Sequence, residues 1–200
     1  TPVETSLLLI PTTGLVALGF AYSYSAWINR QDAGTDRMKE IASFIREGAM
    51  AFLARQYKVL AIFVLVVSAL LFLFYVNSPD SHGLVALSFA VGAFASALSG
   101  FFGMRVATNA NVRTANAART SLPKALLVAF RGGAVMGMSV VGLGILGLGA
   151  LFLIYSEMSA FTLPDGTINY IRLMNVLTGF SLGASSIALF ARVGGRPNGF

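Results

Sequence analysis

The sequence predicts an all-α integral membrane protein with five transmembrane helices. Of its 200 residues, 56% are hydrophobic and only 11% are charged, and the mean hydropathy is +0.76. A typical soluble domain carries about 25% charged residues. The few charged residues flank five uncharged stretches of 25, 21, 24, 25 and 19 residues. Each stretch is close to the roughly 20 apolar residues that a helix needs to cross a bilayer.

The five predicted spans follow directly from these stretches. They lie at about 5–29, 57–77, 83–104, 128–155 and 171–192. The first span ends in Trp27-Ile28-Asn29-Arg30, an interfacial aromatic followed by a charge, and no basic segment precedes it. These features favour a retained span over a cleaved signal peptide.

The connection between the first two spans is predicted to be an amphipathic helix. Asp36 follows Gly34-Thr35, a combination that favours a helix start. Apolar residues then recur at helical spacing. They are Met38, Ile41, Ala42, Ile45, Ala49, Phe52 and Leu53.

The third span is predicted to continue as a helix beyond the membrane. Arg105, Asn109, Arg113 and Asn116 are spaced to share one face of this extension. We favour a solvated or headgroup-facing surface, and a ligand contact is the alternative. Pro123 marks the break before the fourth span.

Small residues recur every four positions in the third, fourth and fifth spans. Such faces allow close approach of helix backbones in a membrane. We therefore predict a dense helical bundle. The positions are Gly92, Ser96 and Gly100, then Gly133 and Gly137, then Gly179 and Gly183.

The fifth span also carries a polar seam, which consists of Ser181, Ser185, Ala188 and Arg192. Polar groups within a membrane usually face a bundle interior or a water path. In the alternative interpretation, the serines bond carbonyls of their own helix and Arg192 extends to the interface. The spacing alone does not separate the two.

The distribution of basic residues predicts the orientation. Thirteen of the 14 Lys and Arg residues fall on one side of the five spans. The positive-inside rule makes that side cytoplasmic, with the N-terminus outside and the C-terminus inside. The net charge of +6 is thus explained by topology, and we expect no nucleic-acid partner.

No catalytic or metal centre is predicted within this chain. It has no cysteine and a single histidine, His82. Gly142–Gly147 fits G-x-G-x-x-G and Gly179–Gly183 fits G-x-S-x-G, but both lie within predicted membrane spans. The four cytoplasmic carboxylates all lie in one connection, which is not enough for a multi-Mg²⁺ site.

Seven segments together resemble the membrane-bound pyrophosphatases. The similarity covers essentially residues 1–195 in order, and the run from 103 to 119 is its most specific part. The segments are Gly34–Ile41, Ile45–Ala49, Ala51–Leu53, Gly103–Thr114, Ala117–Arg119, Gly132–Gly137 and Gly183–Gly195.

The resemblance implies an ion pump in which Mg²⁺-dependent pyrophosphate hydrolysis drives export of H⁺ or Na⁺ from the cytoplasm. The family has about sixteen transmembrane helices and works as a homodimer. It lies in the cell (inner) membrane or the membrane of an acidic compartment. This chain would supply the first five helices. Ion choice and K⁺ dependence are decided in later helices of the family.

The resemblance also assigns two residues. The arginine that matches Arg192 lies between the pyrophosphate site and the ion gate, and the serine that matches Ser185 lies deeper along the ion path. After residue 195 the sequence departs from the family, so 196–200 is expected to be a divergent tail produced by truncation, a frameshift or an addition. The Mg²⁺-binding aspartates would lie beyond it, and we expect the chain to be inactive alone.

A second function class stays open at this stage. A non-enzymatic membrane module, such as half of a transporter or an assembly scaffold, would also lack acidic cytoplasmic chemistry. The downstream gene sequence discriminates the two, because a pump requires an Asp-rich segment there.

Overall fold

The computed structural model describes residues 2–78, 81–164 and 166–193, with side chains for 9–78, 81–164 and 166–190. These residues form five long α-helices and a short 3₁₀ helix, Ser159–Phe161. The described residues contain no β-strand, and their β-structure is limited to one isolated bridge between Thr162 and Ile168. The prediction of an all-α protein is confirmed. The helices are α1 Pro2–Asn29, α2 Asp36–Tyr75, α3 Leu84–Ala118, α4 Leu122–Ser156 and α5 Tyr170–Val193.

Four helices, α2 to α5, are long and apolar enough to cross a membrane. The remaining helix, α1, has 28 residues and coincides with the first predicted span. Several long apolar helices in one chain make it a multi-pass membrane protein.

The helix ends agree with the sequence signals. The Thr35 side chain caps α2 by accepting a hydrogen bond from the Met38 N–H at 3.4 Å. Ser121 caps α4 in the same way through the Lys124 N–H at 3.5 Å, and Pro123 occupies the first turn. The predicted extensions of the second and third spans are confirmed, since α2 and α3 are each single helices of 40 and 35 residues.

Helix α3 is the centre of the bundle. It packs against α2, α4 and α5, while α1 packs mainly along α4. One core cluster joins α3, α4, α5 and the 3₁₀ helix around the fully buried Tyr155, Phe161 and Leu173. A second cluster joins α1, α3 and α4 around Ile28 and Val106.

The prediction that small residues allow close approach of helix backbones is confirmed at Gly92, Gly179 and Gly183, where α3 meets α5. A Cβ added at Gly92, Gly179 or Gly183 would collide with a backbone carbonyl oxygen of the facing helix. At Gly179 that oxygen belongs to Val85 and lies 2.5 Å away. The two helices therefore pack backbone against backbone over two turns.

The corresponding prediction for α4 is wrong for the described residues. Gly133 and Gly137 are exposed, and a Cβ added to either meets no described atom within 4 Å. The close contacts of α4 lie on other faces. A Cβ added at Gly132 would lie 2.9 Å from the Ala110 Cβ, and one added at Gly142 would lie 2.9 Å from the Gly14 carbonyl oxygen of α1. Four-residue spacing identified a small face but did not identify the face that a neighbour covers.

Candidate functional site

Helix α5 has two faces of opposite character. One face is packed against α3 and holds buried residues, among them Val176, Phe180 and Ile187. Gly179 and Gly183 lie on the same side, at the contact with the α3 backbone. These positions leave the opposite face of α5 without cover from the described part of the chain.

The polar seam lies on this uncovered face. Ser181, Ser185 and Ala188 are all exposed. In the part of the chain with described side chains, neither Ser181 nor Ser185 hydrogen-bonds to a carbonyl of its own helix. The neighbouring Ser186 does so, donating to the Leu182 carbonyl oxygen at 2.8 Å. The alternative interpretation, in which the seam serines bond carbonyls of their own helix, therefore describes Ser186 and not Ser181 or Ser185.

The predicted arginine of the seam belongs to the last turn of α5. Arg192 lies within the helix that ends at Val193, but its side chain is outside the described residues. Ser185 and Arg192 are seven residues apart, so two helical turns of 3.6 residues place them within about 20° of the same face. The backbone therefore puts both predicted site residues on one side of α5.

A second polar region joins the α1–α2 loop to α3. Arg113 donates from Nε to the Gln31 carbonyl oxygen at 3.0 Å. Asn116 donates from Nδ2 to the Asp32 carboxylate at 3.1 Å. We call these four residues the loop anchor. Two residues of the predicted polar face of α3 therefore serve mainly to hold a loop.

Electrostatics of the loop anchor favour an ionised Asp32. The backbone N–H of Gly34 donates to Asp32 Oδ1 at 2.9 Å. This bond, with a smaller contribution from the Asn116 side chain, lowers the pKa of the Asp32 carboxyl below its usual value. Gly34 has a φ of +83°, which favours glycine, and a Cβ there would lie 2.8 Å from Asn116 Oδ1, so a larger residue would also displace the Asn116 side chain.

A cleft opens beside the loop anchor. It has a volume of about 720 Å³ and lies between the α1–α2 loop, the end of α3 and the start of α4. Arg113, Arg119 and Lys124 line it together with a single carboxylate, Asp32. We call it the cationic cleft.

A long-range arginine contact orders the opposite end of the bundle. Arg172, in the first turn of α5, donates from Nε to the Ser81 carbonyl oxygen at 3.0 Å and from Nη1 to the Ala160 carbonyl oxygen at 3.1 Å. Asn169 Oδ1 accepts the Arg172 backbone N–H at 3.1 Å. One guanidinium therefore ties two connections to α5. Sequence reasoning counted Arg172 only as a charge on the outer side, because its partners are distant backbone atoms.

The described residues do not fit a metal ion. They contain no group of three or more His, Asp or Glu side chains that could hold one. Asp36 and Glu40 instead pair within the first turns of α2, at 3.1 Å with Lys39 and 2.7 Å with Arg37. We therefore derive no chemical step through a metal at these residues.

Comparison with known families identifies the chain. The family model described as inorganic H⁺ pyrophosphatase matches residues 15–196. The chain belongs to this family. The family match covers all of α2 to α5 and residues 15–29 of α1, so nearly all of the bundle described above lies within the matched region.

Three relatives show how much of the pyrophosphatase architecture the chain spans. It is 48% identical over 193 residues to a putative K⁺-stimulated pyrophosphate-energized sodium pump of Clostridium tetani, covering 96% of this chain and 26% of the relative. It is 46% identical over 187 residues to K⁺-insensitive pyrophosphate-energized proton pump 2 of Moorella thermoacetica, covering 94% and 25%. It is 42% identical over 196 residues to the K⁺-stimulated pyrophosphate-energized sodium pump of Thermotoga maritima, covering 94% and 26%. The chain spans about a quarter of the length of these relatives.

Proposed function

We propose that this chain supplies the first five transmembrane helices of a pyrophosphate-energised pump, which couples hydrolysis of Mg-pyrophosphate to export of H⁺ or Na⁺. The family match over residues 15–196 carries this proposal. The curated relatives named as sodium pumps and as proton pumps are both more than 40% identical, so the transported ion stays open between the two.

In this proposal the five helices occupy residues 1–195, with 196–200 as a divergent tail. The N-terminus is outside and the C-terminus cytoplasmic, and the complete pump is a homodimer in the cell membrane or an acidic-compartment membrane. The orientation is supported by the thirteen-to-one distribution of basic residues.

We infer that hydrolysis depends on residues from outside the described part of this chain. The described side chains offer no group suited to a metal. We therefore assign Mg²⁺ and the reacting pyrophosphate to helices contributed from outside this chain, and expect no hydrolysis by the chain alone.

The uncovered face of α5 is the surface through which this chain would contribute to coupling. Ser181 and Ser185 are exposed on the side opposite the α3 contact. Unbonded hydroxyls on a membrane helix are expected to face a polar interior. In the complete pump this face would meet further helices, with Ser185 on the ion path and Arg192 at the substrate site or ion gate.

The role of Arg192 follows from guanidinium chemistry. Arginine stays charged and presents a planar fork of donors that can bind two oxygens of a phosphate or a carboxylate. A lysine keeps the charge and loses the fork. Arg192→Lys in a chimera with the remaining helices of the Clostridium tetani relative should therefore lower hydrolysis and transport together. Unchanged hydrolysis and transport in an Arg192→Ala chimera would make the residue an interfacial anchor.

The role of Ser185 has a matched control one residue away. Ser185→Ala removes an unbonded hydroxyl from the seam, whereas Ser186→Ala removes a hydroxyl that bonds its own helix. In the same chimera, Ser185→Ala should lower ion transport more than the apparent affinity for pyrophosphate, and Ser186→Ala should change neither. Equal transport by the two variants would remove Ser185 from the ion path.

A further inference from the structure

The cationic cleft has an excess of positive charge. Arg113, Arg119 and Lys124 line it against one carboxylate, Asp32. Both oxygens of that carboxylate are already engaged, by the Gly34 N–H at 2.9 Å and by Asn116 at 3.1 Å. The negative charge in the cleft is therefore held within the loop anchor.

None of the three cations in the cleft forms an ion pair with an acidic side chain of the described residues, and two of them also lack a carbonyl acceptor. Arg113 is occupied by backbone carbonyls. Arg119 reaches only the sulfur of Met38, at 4.0 Å, and is exposed. Lys124 is exposed as well, and the ion pairs of the described residues are confined to the first turns of α2. Arg119 and Lys124 thus lie on one cleft with their charges uncompensated.

The cleft lies at the level expected for lipid headgroups. Trp27 lines it at the end of the first predicted span, and tryptophan favours the membrane–water interface. The Arg131 guanidinium lies over the Trp27 ring, 3.9 Å from its centroid. This cation–π contact holds the indole in the wall of the cleft.

One wall of the cleft is apolar and continues onto an exposed side of α4, in the direction of the fourth predicted span. Leu127 and Val128 line it. Leu127 is 44% exposed, and Phe130, one turn further, is 74% exposed. A ligand with a phosphate beside the basic residues and an acyl chain along Leu127 would match both the cationic and the apolar wall. A free phosphate ion would leave the apolar wall without a contact.

We propose that the cationic cleft binds an anionic phospholipid, with its phosphate between Arg119 and Lys124 and an acyl chain along Leu127. Basic residues at the cytoplasmic membrane edge attract anionic headgroups, and arginine adds directed hydrogen bonds to phosphate oxygens. This site is separate from the polar seam of α5 and does not depend on the pump function.

Trp27 is the only tryptophan of the chain, so its fluorescence reports on this site without any substitution. The chain is purified in neutral detergent and titrated with phosphatidylglycerol that carries brominated acyl chains, which quench a nearby indole. Brominated phosphatidylcholine is the zwitterionic comparison. We expect half-maximal quenching at a roughly tenfold lower concentration of the anionic lipid. Equal quenching by the two lipids would overturn the proposal.

A charge-matched pair of variants locates the binding. The double variant Arg119→Gln, Lys124→Gln should abolish the preference for phosphatidylglycerol. The control Arg37→Gln, Lys39→Gln removes the same charge from the first turns of α2, outside the cleft, and should keep the preference. Loss of the preference in both variants would indicate a diffuse charge effect and contradict a defined site.

Inorganic phosphate and pyrophosphate distinguish the source of the phosphate group. At constant ionic strength, neither ion at millimolar concentration should displace the brominated lipid from the wild-type chain. Displacement by inorganic phosphate, at a concentration where sulfate has no effect, would show a site for free phosphate and would overturn the lipid assignment. If the cleft double variant does not fold, the wild-type titration and this competition still decide the question.

Discussion

Replacing Gly183 by alanine tests the backbone contact between α3 and α5. The added methyl group would collide with the Phe89 carbonyl oxygen and lie 2.9 Å from the Phe89 carbonyl carbon and 3.0 Å from the Ala93 nitrogen. Carbon atoms normally approach no closer than about 3.5 Å. All three atoms belong to the backbone of α3, so relief requires a shift of the helix rather than a rotamer change.

The magnitude can be set against a matched glycine. Overpacking costs about 1–3 kcal/mol, and alanine is favoured over glycine within a helix by about 1 kcal/mol. Because the Gly183 contact is with backbone, we take the upper overpacking cost of about 3 kcal/mol. Subtracting the gain of about 1 kcal/mol for alanine in a helix leaves a net loss of about 2 kcal/mol in the free energy of unfolding. The methyl group of Gly133→Ala meets no described atom within 4 Å, so this variant should keep the gain of about 1 kcal/mol. The two variants should therefore differ by about 3 kcal/mol, or about a hundredfold in the folded-to-unfolded ratio.

The assay is equilibrium unfolding in mixed micelles of increasing sodium dodecyl sulfate, followed by Trp27 fluorescence. Gly183→Ala should unfold at a lower detergent fraction than the wild type, and Gly133→Ala at an equal or higher one. Coincident curves for the two variants would refute the α3–α5 packing described here.

Three further outcomes follow from the loops and ends of the bundle. A cysteine at Thr167 should react with a membrane-impermeant maleimide in intact cells, and a cysteine at Ala115 only after permeabilisation; the reverse pattern would invert the proposed orientation. Arg172→Gln should lower the free energy of unfolding by about 2 kcal/mol because two carbonyls lose a charged donor. Arg172→Lys keeps the charge and should recover part of that free energy. An unchanged unfolding curve for Arg172→Gln would contradict a stabilising role of this residue. Since its folded-state pKa is lowered, Asp32 stabilises the loop above its unfolded value near 3.8, and this contribution is lost as the pH falls through the folded value. The hydrogen-exchange protection factor of the Gly34 amide should fall over that pH range in the wild type and should be insensitive to pH in Asp32→Asn. A protection factor that is independent of pH in the wild type would contradict stabilisation of the loop by the Asp32 carboxylate.

The positions of the helices could be predicted from the sequence because a bilayer imposes a length on apolar stretches. The predicted third span begins at 83 and α3 at Leu84, and the predicted fifth span begins at 171 and α5 at Tyr170. Local capping chemistry at Thr35 placed the start of α2 equally well, and Pro123, which was predicted to mark the break before the fourth span, lies in the first turn of α4. These signals lie within a few residues of the feature that they predict.

Contacts between distant segments were not accessible in the same way. The bond from Arg172 to the Ser81 carbonyl oxygen joins residues 91 positions apart and uses a backbone acceptor that every residue possesses. The Arg113 bond to Gln31 spans 82 positions and has the same character. Glycine spacing showed the same restriction, since Gly183 meets a neighbouring backbone and Gly133 meets open space.

The candidate site was predicted as a face rather than as a set of contacts. Helical spacing placed Ser181 and Ser185 on one side of α5, and the structure leaves that side exposed. Spacing could not show that Ser186 rather than Ser185 bonds its own helix, because that choice depends on side-chain rotamers.

The most direct test of the proposed function is a chimera in which this chain, through residue 195, replaces the matching helices of the Clostridium tetani relative. The chimera is reconstituted into sealed vesicles, and pyrophosphate hydrolysis and ion uptake are measured together, with this chain alone as the comparison. We predict that the chimera hydrolyses pyrophosphate and drives H⁺ or Na⁺ uptake, and that the chain alone does neither. A chimera that inserts and folds as the relative does, yet shows neither hydrolysis nor uptake, would contradict the assignment of this chain as the N-terminal part of a pyrophosphate-energised pump.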